Sequence, residues 1–469
     1  MDWIEETGWV SPLGAGGLIA LAVGAVALLL VLIIKFKMHA FLTLIIISVL
    51  TALVAGIPPE HVIDTLVGGF GGTLGNVALL VAIGAMLGSL VETSGGARAL
   101  AERMIDIFGE KRAPFALGIA ALIVGFPIFM DAAFVLMIPI VYAIARRLQG
   151  NLIAYGIPVA GALSVQHVYL PPQPGPVAAT EFVEANLGIV LLLGLIVAFP
   201  IWYVSGYLWG MFAARRVRVD VAGAVFANPQ EDTDPITDPP KPLTTILVVL
   251  LPVFLILLNT GLGALGSAGV VDPDAYWVGA LQLLGATPIA LLLSALVAIL
   301  VLGLRTGKDS NAIERTVDGA LGPVASVILI TGAGGMFGGV LRATGIGDAI
   351  TDSLAAAGIP LIIAAYVIAA ALRLAQGSAT VALTTAAALV APGVIASDLG
   401  TWQLACIVLS LAAGSVVAGH VNDSGFWLVG RLLNMDVPTT LKVWTVQQTF
   451  QSLVALVIAL VVYAVIGMF

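Results

Sequence analysis

The chain has 469 residues, 60% of them hydrophobic and only 10% charged, with a net charge of −8. Soluble domains carry roughly 25% charged residues, so a water-soluble globular protein is excluded. The single cysteine, Cys406, excludes an intrachain disulfide and any thiolate metal cluster.

Apolar runs of the length that one helical crossing needs, about 20 residues, recur along nearly the whole chain. They predict an all-α, polytopic membrane protein. The first run, GLIALAVGAVALLLVLII at 17–34, lacks a basic leader and a small-residue cleavage site, and is expected to be a retained span and not a signal peptide. In chain order, spans are expected near 15–34, 39–57 and 76–92, then a hairpin over 113–147. A broken helix over 153–180 and a span near 183–206 close the first half. The Pro- and Asp-rich stretch 219–242 is expected to be a cytoplasmic linker. The second half predicts spans near 243–262, 286–303 and 322–341, a hairpin over 359–396, a broken helix over 403–432 and a last span at 441–466.

Placing the N-terminus outside puts every Lys and Arg on the cytoplasmic side except Arg342 and Arg373, which is the asymmetry the positive-inside rule asks for. An internal match supports two repeats, 1–218 and 243–469. Residues 64–100 align with 314–350 without a gap, most clearly as GAMLGSLVETSG against GGMFGGVLRATG, and SVQHV resembles VAGHV further on, so that His167 and His420 correspond. The first half makes an odd number of crossings, so the second half is expected to be inverted. Inverted repeats with interrupted helices mark secondary transporters, whose substrate sites lie where the repeats meet.

Polar residues at lipid depth fall in four places. In GFPIFMDAAFVLMIP, Gly125 and Pro127 break the first hairpin and Asp131 follows. An intramembrane carboxylate is a functional candidate by default; the alternative is that Asp131 caps the second hairpin helix. In QHVYLPPQPGPVAAT, the prolines at 171, 172, 174 and 176 withhold ladder donors and unwind the helix around Gly175. Unwound backbone at depth lines a cavity or is buried in protein. In LRLAQGSATVALTTAA, Arg373 either snorkels or offers a fork to a carboxylate, while Gln376, Ser378 and Thr380 either donate to substrate hydroxyls or bond to helix carbonyls. In GHVNDSGFWLVGR, His420, Asn422, Asp423 and Ser424 mark a second break, His420 being alternatively a satisfied core histidine. Half-helix N-termini facing a cavity favour anions, so a small polar anion such as a hydroxylated carboxylate is the expected substrate.

The stretches GFPIFMDAAFVLMIPI, LPPQPGP, RLAQGSATVALTT and HVNDSGFWLVGR resemble the gluconate permease (GntP) family of proton symporters, over essentially the whole chain. The resemblance implies carriage of sugar acids such as gluconate across the cytoplasmic (inner) membrane, with some relatives specialised for other small hydroxy acids or D-serine. It also implies a scaffold domain and a moving transport domain in an elevator-type homodimer. The family pattern has His within the proline run where this chain has Gln173, a departure that bears on any proton-coupling role there.

Residues and resemblance together predict proton-coupled uptake of a sugar acid. Ser378, Thr380, Asn422, Ser424, Gln376 and the backbone around Gly175 would grip the substrate, with Arg373 as carboxylate partner. Asp131 or Asp423 would take the proton, with His167 or His420 sharing the role. Beyond the bilayer, the substrate and H⁺, no cofactor, metal or nucleic acid is expected. Sodium coupling, or carriage of D-serine or another small hydroxy acid, are the rival readings. An intramembrane hydrolase built on His420, Asp423 and Ser424 is disfavoured, because adjacent residues cannot face each other as a triad requires, and no enzyme activity is expected.

Overall fold

The computed structural model of the chain describes residues 2–219, 239–346, 349, 359–420 and 423–468. The described residues are helical almost throughout and contain no strand. A short α1 (Asp2–Thr7) precedes α2 (Ala15–Ile34), α3 (Ala40–Val54) and the long α4 (Pro59–Thr93). Next, α5 (Gly96–Phe108) leads to the antiparallel pair α6 (Ala113–Val124) and α7 (Met130–Arg147). Then come α8 (Leu152–Tyr169), α9 (Pro174–Phe182) and α10 (Leu187–Trp202), which runs through a π-helical segment at Tyr203–Leu208 into α11 (Trp209–Arg216). The second half holds α12 (Pro242–Ser267), α13 (Tyr276–Gly285), α14 (Thr287–Ala298), α15 (Ser310–Gly319) and α16 (Leu321–Ala343). It ends with the pair α17 (Leu361–Gln376) and α18 (Ala379–Ala396), then α19 (Thr401–Gly414), α20 (Ser424–Leu432), α21 (Val437–Thr440) and α22 (Val446–Ile466).

Among the described residues, eight helical stretches are long and apolar enough to cross a membrane, and the chain is a multi-pass membrane protein. Burial separates its centre from its rim. An 18-residue apolar window within Leu152–Phe182 is 89% buried within the protein, whereas the corresponding windows of Pro242–Ser267 and Val437–Ile466 are 33% and 22% buried. The first is therefore the core, and the outward faces of α12 and α22, with Leu247, Phe254, Val457 and Val461 exposed, are surfaces for lipid.

Chemistry sets the interruptions. The chain leaves α8 at Leu170, whose extended backbone precedes Pro171 and Pro172, and restarts with Pro174 in the first turn of α9, where a missing N–H costs nothing. Between α6 and α7 the turn at Gly125–Phe129 reverses the chain. Gly377 closes α17 in the left-handed region at φ 84°, and Ser378 caps α18 by accepting from the Val381 amide. Asp423 caps α20 by accepting from the Gly425 amide at 2.9 Å.

Two helices depart from the sequence expectation. A span was expected near 76–92, but α4 is unbroken over 35 residues, about 50 Å at 1.5 Å per residue. Its glycine-rich first half lies outside the expected span, yet it is helical because α16 packs along it. A Cβ on Gly69 would lie 2.4 Å from the Gly335 carbonyl oxygen, so bare backbone permits the crossing. Likewise α12 extends to Ser267 and is followed by α13, where a plain loop was expected. Both α4 and α16 end on left-handed glycines, Gly95 at φ 77° and Gly345 at φ 72°, the two positions paired in the sequence match. Lys308 Nζ ties the α14–α15 connection to the end of α4, donating to the Thr93 carbonyl at 2.8 Å, and Ser89 Oγ donates to the Thr316 carbonyl. Most of the stretch read as a linker, 220–238, lies outside the described residues.

Candidate functional site

The four interruptions meet at one place, and hydrogen bonds join them. His167, in the last turn of α8, is the hinge of the arrangement. Its Nδ1 lies 3.2 Å from Gln173 Oε1 and its Nε2 lies 3.0 Å from Thr380 Oγ1. An amide oxygen can only accept, so Nδ1 carries hydrogen and a neutral ring accepts the Thr380 hydroxyl at Nε2. A second proton on the ring would reverse that bond and make Thr380 the acceptor. Protonation at His167 is thereby felt directly in the first turn of α18.

Gln173 extends the network to the first hairpin. Its Nε2 donates to the Ile128 carbonyl at 3.0 Å and reaches the Phe126 and Gly125 carbonyls at 3.3 and 3.4 Å. These carbonyls belong to the turn between α6 and α7, where no helix partner is available. One side chain therefore holds the hairpin turn against the proline break. The turn also rests on α4, since a Cβ on Gly88 would fall 2.2 Å from the Pro127 carbonyl oxygen. Gly175 gives similar clearance on the other side, where a Cβ would stand 3.0 Å from Leu383 Cδ2 and 3.6 Å from Thr380 Cγ2 of α18.

The second hairpin is joined to the second break by charge. Arg373, in the last turn of α17, is 2% exposed, and its Nη2 stands 2.5 Å from Asp423 Oδ2. Its Nη1 donates to the Gly377 carbonyl, and its Nε is buried without a partner among the described residues. Asp423 is buried at 9% exposure. Asp131 is placed differently: it is exposed in the first turn of α7 and has no ion-pair partner among the described residues. It acts electrostatically on His167, and Asp423 acts on both.

Of the residues singled out in the sequence, the structure thus brings together Asp131, His167, Gly175, Arg373, Thr380 and Asp423. Ser378 is spent on capping α18. Ser424 is exposed at the start of α20. His420 Nδ1 lies 3.1 Å from the Ala418 carbonyl. Asp423 is engaged with Arg373, so His420, Asp423 and Ser424 form no relay. Asn422 and the side chain of Gln376 lie outside what is described. Among the described residues, no group of three or more His, Cys, Asp or Glu stands together as a metal site. Sequence reasoning gave Gln173 no structural task and did not single out Gly419. A Cβ on Gly419 would lie 2.4 Å from Arg373 Nη2 and 2.9 Å from Asp423 Oδ2. The amide of Gln173, fully buried in a proline run, was the available signal for the first; nothing in the local sequence points to the second.

The arrangement suits an anion. The N-terminal ends of α9, α18 and α20 lie near one another, next to a buried guanidinium, and each carries partial positive charge.

Comparison with known proteins agrees in scope. Residues 17–466 match the family described as GntP family permease. The gluconate permease of Pseudomonas aeruginosa is 39% identical over 443 residues, covering 93% of this chain and 96% of its own length. The inner membrane permease YgbN of Escherichia coli is 37% identical over 464 residues, covering 96% of this chain and 99% of its own. Among solved structures, the YdaH transporter of Alcanivorax borkumensis shares the fold at a TM-score of 0.60 and 15% identity, covering 87% of this chain and 89% of that one. The chain belongs to the GntP family of permeases, membrane transport proteins and not enzymes.

Proposed function

We propose that the protein takes up gluconate or a closely related sugar acid across the cytoplasmic membrane, coupled to protons. The observation that carries this proposal is the buried Arg373 among three helix N-termini. A desolvated guanidinium fork recognises a carboxylate in two parallel bonds, and hydroxyls and backbone amides nearby suit a polyol chain. The relative from Pseudomonas aeruginosa named gluconate permease supports the same substrate class. Proton coupling is supported by the placement of Asp131, His167 and Asp423 at one site, where the carboxylates of Asp131 and Asp423 both act on His167. Asp131 is the member exposed to incoming water, and the His167–Thr380 bond carries the protonation state to the second hairpin.

The two halves are proposed to be inverted repeats, with the N-terminus outside and the linker in the cytoplasm. The matched left-handed glycines Gly95 and Gly345 support this, as does the reciprocal crossing of α4 and α16. Ser89 meets Thr316, and the residue matched to Ser89, Gly339, lies against Gly69 and Thr65. The two hairpins would then reach the site from opposite faces, as alternating access requires.

The test is uptake by reconstituted protein in the presence of unlabelled competitors, with sodium present or replaced by choline. Gluconate and related sugar acids are expected to compete, D-serine is not, and choline is expected to leave uptake unchanged. Preference for D-serine, or collapse of uptake in choline, would replace the proposal with the zwitterion or the sodium-coupled reading.

A further inference from the structure

Asp423 serves two partners at once. Oδ1 accepts the Gly425 amide at 2.9 Å, and Oδ2 lies 2.5 Å from Arg373 Nη2. The first bond starts α20, and an uncharged N-cap does that equally well. The second leaves the guanidinium incompletely used. A planar fork is made for two parallel bonds to one carboxylate, yet here Nη2 meets one oxygen and Nε–H stays buried with no partner among the described residues. Gly419 presents bare backbone to both groups, where a Cβ would lie 2.4 Å from Nη2 and 2.9 Å from Oδ2. Arg373 is thus held by an imperfect internal ligand, with bare glycine backbone packed where any side chain would press on the pair.

We propose that Asp423 and the substrate's carboxylate compete for one place on Arg373, so that substrate binding is the exchange of one carboxylate for another. This rests on the sugar-acid function proposed above. The incoming carboxylate takes Nη2 together with Nε–H, and Asp423 keeps the Gly425 amide while gaining a proton. The exchange balances: the substrate carboxylate, one proton and the Asp423–Arg373 pair become a substrate–Arg373 pair and a neutral Asp423 carboxylic acid. Without the proton, a buried carboxylate would stand unpaired beside a second one, which is heavily disfavoured. The charged and titratable groups facing Asp423 are Arg373 from α17, Asp131 from α7 and His167 from α8, while His420 in its own loop is turned to the Ala418 carbonyl. Competition of this kind ties each bound anion to one proton.

Calorimetry of gluconate binding to the purified protein in nanodiscs, from about pH 6 to about pH 8, tests the exchange. Wild-type affinity is expected to rise as pH falls. Asp423→Asn keeps the capping bond but removes the competitor; it is expected to bind gluconate roughly tenfold tighter at the alkaline end and to lose the pH slope. Weaker binding by this variant, or a slope equal to the wild type's, overturns the exchange. Infrared difference spectra of the wild-type protein, taken with gluconate labelled at its carboxyl carbon, give an answer that needs no Asp423 variant. One side-chain carboxylate is expected to become a protonated carboxyl on binding, and the band is expected to survive in Asp131→Asn. Absence of the band, or its loss in Asp131→Asn, overturns the exchange while leaving sugar-acid transport standing. A wild-type protein that binds no sugar acid removes the proposed function, and the exchange with it.

Discussion

Arg373 and Gln173 carry most of the site's organisation, and both gain it from burial. Arg373→Lys keeps the charge but replaces a planar fork by a point charge. Its KM for gluconate is expected to rise at least about tenfold, the weight of one charge-assisted bond, as measured by initial uptake rates in proteoliposomes. Gln173→Ala removes the donor that serves the turn carbonyls of Ile128, Phe126 and Gly125. Leaving such groups unsatisfied costs about 1–3 kcal/mol. A lower melting temperature together with reduced uptake is expected, whereas an unchanged melting curve would argue that water serves those carbonyls. At this scale the sequence was informative about identity and poor about pairing. Arg373 and Asp423 each stand out as charges in apolar runs, but fifty positions separate them, and no local pattern says that they meet. Asp131 and Asp423 were equivalent candidates for the proton on sequence alone. The structure distinguishes their surroundings, one exposed and without an ion pair among the described residues, the other held on a guanidinium.

Helix interruptions were legible wherever backbone chemistry forces them. Prolines 171 to 176 withhold amide donors, and the unwound residues fall where those prolines stand. The break before α20 was legible because Asn, Asp, Ser and Gly favour caps over helix interiors. The first half of α4 was not legible, because glycine carries a helix penalty of about 1 kcal/mol each in isolation and signals a loop when clustered. Only a partner helix lying against that bare backbone makes it a helix, and tertiary packing is invisible in a local window. This distinction can be tested by a pair of substitutions on α4. Gly88→Ala sets a methyl 2.2 Å from the Pro127 carbonyl oxygen and is expected to destabilise by about 1–3 kcal/mol through overpacking. Gly72→Ala meets nothing within 4 Å and is expected to be neutral or stabilising in the same thermal unfolding assay. Equal losses at both positions would mean that glycine acts here through backbone flexibility and not through close approach.

For the whole molecule, the composition and the spacing of apolar runs announced a polytopic helical protein, and the asymmetry of basic residues assigned it an orientation. Cys406 is buried and is the chain's single cysteine, so engineered cysteines report on sidedness with little background. Lys241→Cys is expected to react with a membrane-impermeant maleimide in inside-out vesicles and Asp274→Cys in intact cells; the opposite pattern would reverse the orientation. What neither composition nor spacing conveys is how four interruptions from two halves come to share one place, since that depends on packing among helices far apart in the chain. The proposed coupling of that shared place to protons has one direct measurement. Proteoliposomes are loaded at neutral pH and diluted into labelled gluconate, with the outside acidic or matched to the inside. Transient accumulation above equilibrium is expected with the acidic outside alone, and an uncoupler is expected to abolish it. Equal uptake with and without the gradient, unaffected by the uncoupler, would contradict proton coupling.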